Sequence, residues 1–354
     1  MPDAPSAPLD HLIAALSDPD PKARIKAAQE IRSHGPEGLR AVPALLSAFR
    51  DPDPMVAVNM RSTVAELGDA VLPVLQRIRS AGPGRLRPAA LTALAELGGE
   101  ASLSARDAAA IERLIRVKLH RDRPHPLTAC WLYWMAVRGG DQQGIMRLLG
   151  LTAPRPVTFE LGDEIVDFDG HGSADEGLGS PIGRVLVTPE LDGWTLVAGA
   201  WCDPCDAERG EDVLRQCTEL SACYGSAQAY YFGAQNDGSA WLVAENGVVV
   251  RRYKEAGEAD DCQWTLGEPL DCERAWRAEL GLPPTWDDAA RDDPDNEAED
   301  EWKSEAFGLA PRIAAVLSID PLTIGPKTPM RGTPLIALTP FGVAEGVPYG
   351  AYRI

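Results

Sequence analysis

A repeat restricts this chain more than any other feature. Residues 12–35, LIAALSDPDPKARIKAAQEIRSHG, align without gaps on residues 45–68, LLSAFRDPDPMVAVNMRSTVAELG, at an offset of 33. Leu12 matches Leu45, Leu16 matches Phe49, Ile25 matches Val58, Ile31 matches Val64 and Gly35 matches Gly68, and the DPDP tetrapeptide recurs intact. A third copy runs from VLQRIRSAGPG through LTALAELGG, placing Leu75, Leu94, Leu97 and Gly98 at an offset of 30 from the second. A looser fourth is read in AIERLIRVKLHRDRP followed by PLTACWLYWMAVRGG. Apolar positions fall at helical spacing within a unit, as in Leu12, Ile13, Leu16 and then Ile25, Ala28, Ile31, so each unit holds two amphipathic helices. Between them, Asp18-Pro19-Asp20-Pro21 stops the first helix; Asp20 caps the second, and Pro21 takes its first position, where no N–H is needed. Gly35, Gly68 and Gly98 are expected to supply the left-handed conformation that ends each second helix. One pair cannot hide both stripes, so neighbouring pairs must stack.

These units resemble HEAT repeats, the antiparallel helix pairs that stack into curved solenoids. The likeness is drawn over about residues 9–150 and includes Arg24, the arginine often found early in the second helix, which the second copy lacks. It implies an α-solenoid and, as in most such arrays, protein binding along the inner face. A minority of bacterial HEAT-like proteins are alkylpurine DNA glycosylases, which need a basic groove, aromatic residues and a carboxylate to hold an extruded base. The matching residues here are Arg77, Arg79, Arg85, Arg87, Arg113, Arg116, Lys118, Arg121 and Arg123, with Trp131, Trp134 and Asp141. Trp131 and Trp134 lie three apart among Leu127, Cys130 and Met135, which reads more simply as the closing apolar face of the last helix pair.

At Pro154 and Pro156 the period changes from helical to alternating. Strands are expected near 157–168, 183–188, 193–200, 227–233, 239–245 and 248–254, with helices near 208–224 and 271–280. Asn246-Gly247 is the strongest hairpin signal, since both residues tolerate the positive φ of a type I′ turn. The fold class expected is therefore multidomain: a HEAT-like α-solenoid over 1–153, then a mixed α+β domain over 154–285 with a mainly antiparallel sheet and helices on one side. An acidic linker follows at 286–302, where WDDAARDDPDNEAEDEW sets one Arg among a crowd of carboxylates. The last part, 303–354, carries a helix near 303–317 and a strand in PLIALTP, expected to dock on the α+β domain.

Chemistry-bearing residues cluster around AWCDPCDAERG, residues 200–210. In thioredoxin-like proteins a Trp-Cys-x-x-Cys motif joins a buried strand to a helix whose first turn lowers the attacking thiol's pKa, and WTLVAGAWCDPC resembles that junction. No proline lies between Pro204 and Pro269 to act as that fold's cis-proline, and Asp203, Asp206 and Glu208 surround the thiols with charge that disfavours a thiolate. A catalytic pair of Cys202 and Cys205 is thus an alternative to a structural loop. Cys202, Cys205, Cys217 and Cys223 give no standard zinc spacing, and Cys217 and Cys223 fall on different sides of a helix. Asp167, Asp169, His171 and Asp175 form a glycine-rich stretch that departs from an EF-hand loop at two ligand positions, so a metal at Cys202, Cys205, Asp167 and Asp169 also stands only as an alternative. Tyr230, Tyr231, Phe232 and Trp241 are dense enough for a binding surface, although alternation turns about half of them inward.

The net charge of −19 is unevenly placed: residues 1–150 carry 19 Lys+Arg against 16 Asp+Glu, and residues 151–354 carry 15 against 37. An acidic body repels nucleic acid and anionic membrane and attracts basic partners. No apolar run is long enough to span a membrane and the N-terminal residues lack a secretory pattern, and seven cysteines without a framework spacing suit reduced thiols. These features point to a cytoplasmic protein, and the Arg-, Ala-, Gly- and Pro-rich composition to a bacterial one. With no hydrolase, zincin, Walker or dinucleotide motif, the expectation is a binding protein without a cofactor that captures a basic protein partner. An immunity-type inhibitor would suit that acidity. The residues expected to bind are Tyr230, Tyr231, Trp241, Asp203, Asp206, Glu208, Arg77 and Arg79.

Overall fold

The computed structural model describes residues 8–99, 102–128, 131–170, 182–233, 238–255, 266–283 and 297–346. They fall into two compact units, divided between Leu114 and Ile115.

The first unit contains α1 (Leu9–Ala15), α2 (Pro21–Arg32), α3 (Val42–Ser47), α4 (Pro54–Glu66), α5 (Leu72–Ala81), α6 (Arg87–Gly98) and the first two-thirds of α7 (Ala105–Leu119). The DPDP turns work as the sequence implies. Asp20 accepts a hydrogen bond from the Lys22 N–H, Asp53 accepts from Met55 and Val56, and Pro21 and Pro54 open their helices. Arg24 joins two of these turns. Its guanidinium donates to the carbonyls of Asp18 and Pro19 and reaches the Asp51 carboxylate of the next repeat at 2.8 Å. The equivalent of Arg24 in the second copy is Ala57, and the equivalent of Asp51 in the third is Ala81; donor and acceptor are lost together. The second helices of adjacent pairs are tied side by side, with Arg32 on Thr63 and Glu66, and Thr63 on the Ala28 carbonyl. Leu12, Leu16, Ile31, Leu45, Phe49, Met60, Val64, Leu75 and Leu94 share one core, which is the stacking that the repeat pattern demands. Gly35 and Gly68 have positive φ, but in the third copy it is Gly99, not Gly98, that adopts the left-handed conformation. Gly98 is still helical, and a Cβ there would meet Ser102 at 2.4 Å.

The second unit is built on a sheet of ten strands: β1 (Trp131–Arg138), β2 (Thr152–Pro156), β3 (Arg184–Val187), β4 (Glu190–Leu191), β5 (Trp194–Ala198), β6 (Ser226–Gly233), β7 (Gly238–Glu245), β8 (Val248–Glu255), β9 (Met330–Arg331) and β10 (Leu335–Leu338). The order is β2-β10-β3-β5-β1-β6-β7-β8, with β4 and β9 to one side and every pairing antiparallel. At the β7–β8 turn Asn246 and Gly247 both have positive φ, as the hairpin signal requires. The C-terminal strand does more than dock, because β10 inserts between β2 and β3.

Helices cover both faces rather than the one expected. On the front, α8 (Gln142–Leu148) and α10 (Gly210–Tyr224) pack Ile145, Met146, Val213, Cys217 and Leu220 against Met135, Val137, Val197, Ala229 and Leu242. On the rear are α9 (Phe159–Gly170), α11 (Asp271–Glu279), α12 (Glu297–Ala306) and α13 (Leu309–Leu317). There Gly162 faces Leu186, Arg251 forms a fully buried pair with Glu273 at 2.6 Å, the Trp302 indole donates to the Tyr253 hydroxyl, and Ser239 bonds Phe307 and Ala310. A short helix, α14 (Pro340–Ala344), follows β10.

Three further expectations are corrected. The fourth helix pair does not form: its second half is β1, a central strand, so the helical region does not extend to 153. Trp131–Arg138 reads as helix-compatible because a strand covered on both faces is apolar at successive positions and shows no alternation. Residues 157–168 are not a strand but lie largely in α9. Val157, Phe159 and Leu161 alternate, yet the Thr158 hydroxyl accepts from the Leu161 N–H and starts a helix. The acidic segment also differs where it is described, since α12 begins at Glu297 and buries Trp302; residues 286–296 lie outside the described residues.

Candidate functional site

The front face of the sheet ends in a polar row beyond the N-terminus of α10. The strand register sets Tyr133 (β1) opposite Tyr231 (β6), Tyr231 opposite Ala240 (β7), and Ala240 opposite Lys254 (β8). The two tyrosine rings stack at 5.1 Å and 18°. Next to Tyr133 the Gly199 N–H donates to the Tyr133 carbonyl, and Gly199 takes φ +141°, turning β5 into the tight helical turn Ala200–Cys202. A Cβ at Gly199 would meet the Arg184 carbonyl at 3.1 Å.

The loop that follows brings the carboxylates to this row. Asp203 accepts the Cys205 N–H at 2.7 Å, and Asp206 accepts those of Glu208 and Arg209, which starts α10. Burial, reinforced by the charge of Asp206, pushes the Asp203 carboxyl up to about 6 against the opposing pull of the Cys205 N–H and Lys254. Tyr133 is held far above its ordinary value, first by burial and then by the charge of Asp203. Glu208 is exposed and Asp206 half-buried. Two aromatic faces beside carboxylates, one of them destabilised in its charged form, make a local environment that favours a cation.

Burial works against thiolate chemistry at the first of the two cysteines. Cys202 is fully buried, and burial pushes its thiol up to about 12 although Arg209 lies nearby; the redox alternative therefore lacks a low-pKa attacking thiol at this position. Arg209 stacks on Trp201 with 4.3 Å from its guanidinium carbon to the ring centroid and pairs with Asp212 at 2.8 Å. Cys217 is buried and Cys223 exposed, in line with their different helix faces. Asp169 is taken by Arg184, which grips both carboxylate oxygens at 2.5 and 2.8 Å, so it is no open metal ligand. Asp167 sits with it on α9, while His171 and Asp175 lie outside the described residues. Among the described residues no group of three or more His, Cys, Asp or Glu side chains is placed to hold a metal ion.

Of the other residues singled out, Tyr230 and Trp241 are fully buried on the rear face, stacked on Trp134 and Tyr253 respectively. They are core residues, not a binding surface, because the same alternation that sends Tyr231 forward sends them back. Arg79 is committed to Asp107 at 2.6 Å, and Arg87 donates to the Gly82 carbonyl. Arg77 is exposed. Trp134 is core, and Asp141 caps α8 through Gly144 and accepts from the Tyr224 hydroxyl, so the aromatic and acidic parts of a base pocket are not assembled. Nothing in the sequence marks Tyr133 or Lys254, since only strand register brings them beside Tyr231. The first unit also presents apolar side chains to solvent, Met55 and Val58 on α4.

A family model described as HEAT repeats matches residues 9–95. That segment is a HEAT-repeat segment, a repeat type that usually mediates protein binding, and the match ends before the sheet unit. No curated protein and no solved structure matches this chain. Among the described residues no helix is long and apolar enough to cross a membrane.

Proposed function

We propose that the chain is a non-catalytic binding protein in which the HEAT-repeat segment serves as scaffold and the acidic sheet unit captures a basic protein partner. One observation carries this reading: Asp203, Asp206 and Glu208 are held on one short loop beside the Tyr133–Tyr231 stack, with Asp203 pushed up to about 6. A lysine or arginine of the partner placed there relieves the cost of ionising Asp203 and gains the ring faces. The imbalance of 37 Asp+Glu against 15 Lys+Arg over residues 151–354 adds long-range attraction. An inhibitor of the immunity type is the form of partner capture that this charge suits.

The test is titration of the full chain with an arginine-rich peptide, followed by calorimetry at low and high salt. The double substitution Asp203→Asn with Glu208→Gln is expected to weaken binding about tenfold. The control pair Glu219→Gln with Glu305→Gln, which removes two exposed carboxylates elsewhere, should change little. Equal losses in both variants would mean diffuse attraction to net charge and would sink the assignment of this loop.

A further inference from the structure

The sheet unit also carries a concave surface of the opposite sign. A cavity of about 640 Å³ lies between the end of α7 and the start of α9, lined by Val117, Lys118, Arg121, Arg123 and Thr158 among others. That volume is in the range of small-ligand sites. The chain turns back here because the Arg121 N–H bonds the Lys118 carbonyl, which sets three cations within six residues.

Among the described residues these cations have no carboxylate partner, as is also true of Arg116, Arg138, Arg147 and Lys327 in this unit; what sets the three apart is that they line one cavity. Elsewhere in this unit Arg184, Arg209, Arg215, Arg251, Arg252 and Arg312 each reach an Asp or Glu. Lys118, Arg121 and Arg123 make no ion pair among the described residues, although two carboxylates share the cavity lining. Asp122 is engaged otherwise: it accepts the Phe159 N–H at 3.1 Å at the start of α9. Thr158 accepts the Leu161 N–H, so the first turn of α9 is already capped and recognition falls to the side-chain cations. Glu160 is exposed at the rim. In a chain of net charge −19, three unpaired cations around a concavity attract anions against the overall field.

We propose that this cavity binds a small ligand bearing two or more oxyanion groups, carboxylate or phosphate, through Lys118, Arg121 and Arg123, with Val117 as an apolar wall. Arginine offers paired donors matched to either group. The site is separate from the acidic loop and does not rest on the partner reading above.

Calorimetry on the full chain with pyrophosphate and with citrate tests the proposal. Saturable binding of at least one is expected, weakened about tenfold or more by Lys118→Glu with Arg121→Glu and unchanged by Arg138→Glu with Lys327→Glu, a charge-matched control at two exposed cations away from the cavity. Preference for pyrophosphate assigns the ligand a phosphate, and preference for citrate a carboxylate. The proposal is overturned if neither probe saturates at up to about 10 mM, or if the double variant binds as well as the parent. It is also overturned if duplex DNA displaces bound pyrophosphate with the steep salt dependence of a phosphate-backbone contact.

Discussion

Replacing Asp203 by Asn separates stability from binding in a way that a purely structural loop would not. The Asp203 carboxyl is raised from 3.8 to about 6 in the folded protein, a shift of roughly 2 pH units at 1.36 kcal/mol each, so its ionisation costs the fold at most about 3 kcal/mol. The folded state binds this proton more tightly than the unfolded chain. Stability from this group is therefore complete below about pH 4, declines as the pH rises through about 6, and is absent above that. The Asn side chain keeps an oxygen to accept the Cys205 N–H and carries no charge. The variant should be about 2–3 kcal/mol more stable than the parent at about pH 8 and equal to it near pH 4. Urea unfolding at a series of pH values measures the difference directly. The same substitution should weaken capture of an arginine-rich peptide, and that opposition of stability and binding is typical of a functional position. Unfolding curves that coincide at every pH, or a variant less stable at high pH, would refute the argument from buried charge.

Other expectations follow from single contacts. Asp53→Ala removes the cap of α4 and should cost about 1 kcal/mol in denaturant unfolding. Arg251→Met leaves Glu273 buried without its cation and should cost about 3–5 kcal/mol; a loss below about 1 kcal/mol would mean that the pair is hydrated. With a thiol reagent at neutral pH, exposed Cys223 should react well before Cys202, whose thiol is buried and pushed up to about 12. Simultaneous release of both would contradict that burial.

The repeat segment was legible because its signals are local. The DPDP turns name their own caps, and Leu12, Leu16 and Ile31 mark a helical stripe that stays on the core side in the folded unit. The strands of the sheet were legible where one turn residue or clear alternation set them off, as at Asn246-Gly247. WLYWMAVR was not, because covering both faces of a strand erases the alternation that would have identified it. Gly98 and Gly99 are adjacent and chemically identical, so only the backbone conformation tells the cap from the packing position.

The candidate site divides along the same line. Asp203, Asp206 and Glu208 stand within six residues, and their acidity is read from the order of residues alone. Which aromatic residues they meet could not, because a shift of one position sends a strand side chain to the opposite face. Tyr231 faces the loop while its neighbour Tyr230 is buried behind the sheet. Tyr133 and Lys254 join Tyr231 from strands more than a hundred residues apart in the chain. Local order thus determined the helix hairpins, their turns and the placement of charge; hydrogen-bond register across β1, β6, β7 and β8 decided which side chains share a surface, since that register depends on long-range pairing and not on neighbours in sequence.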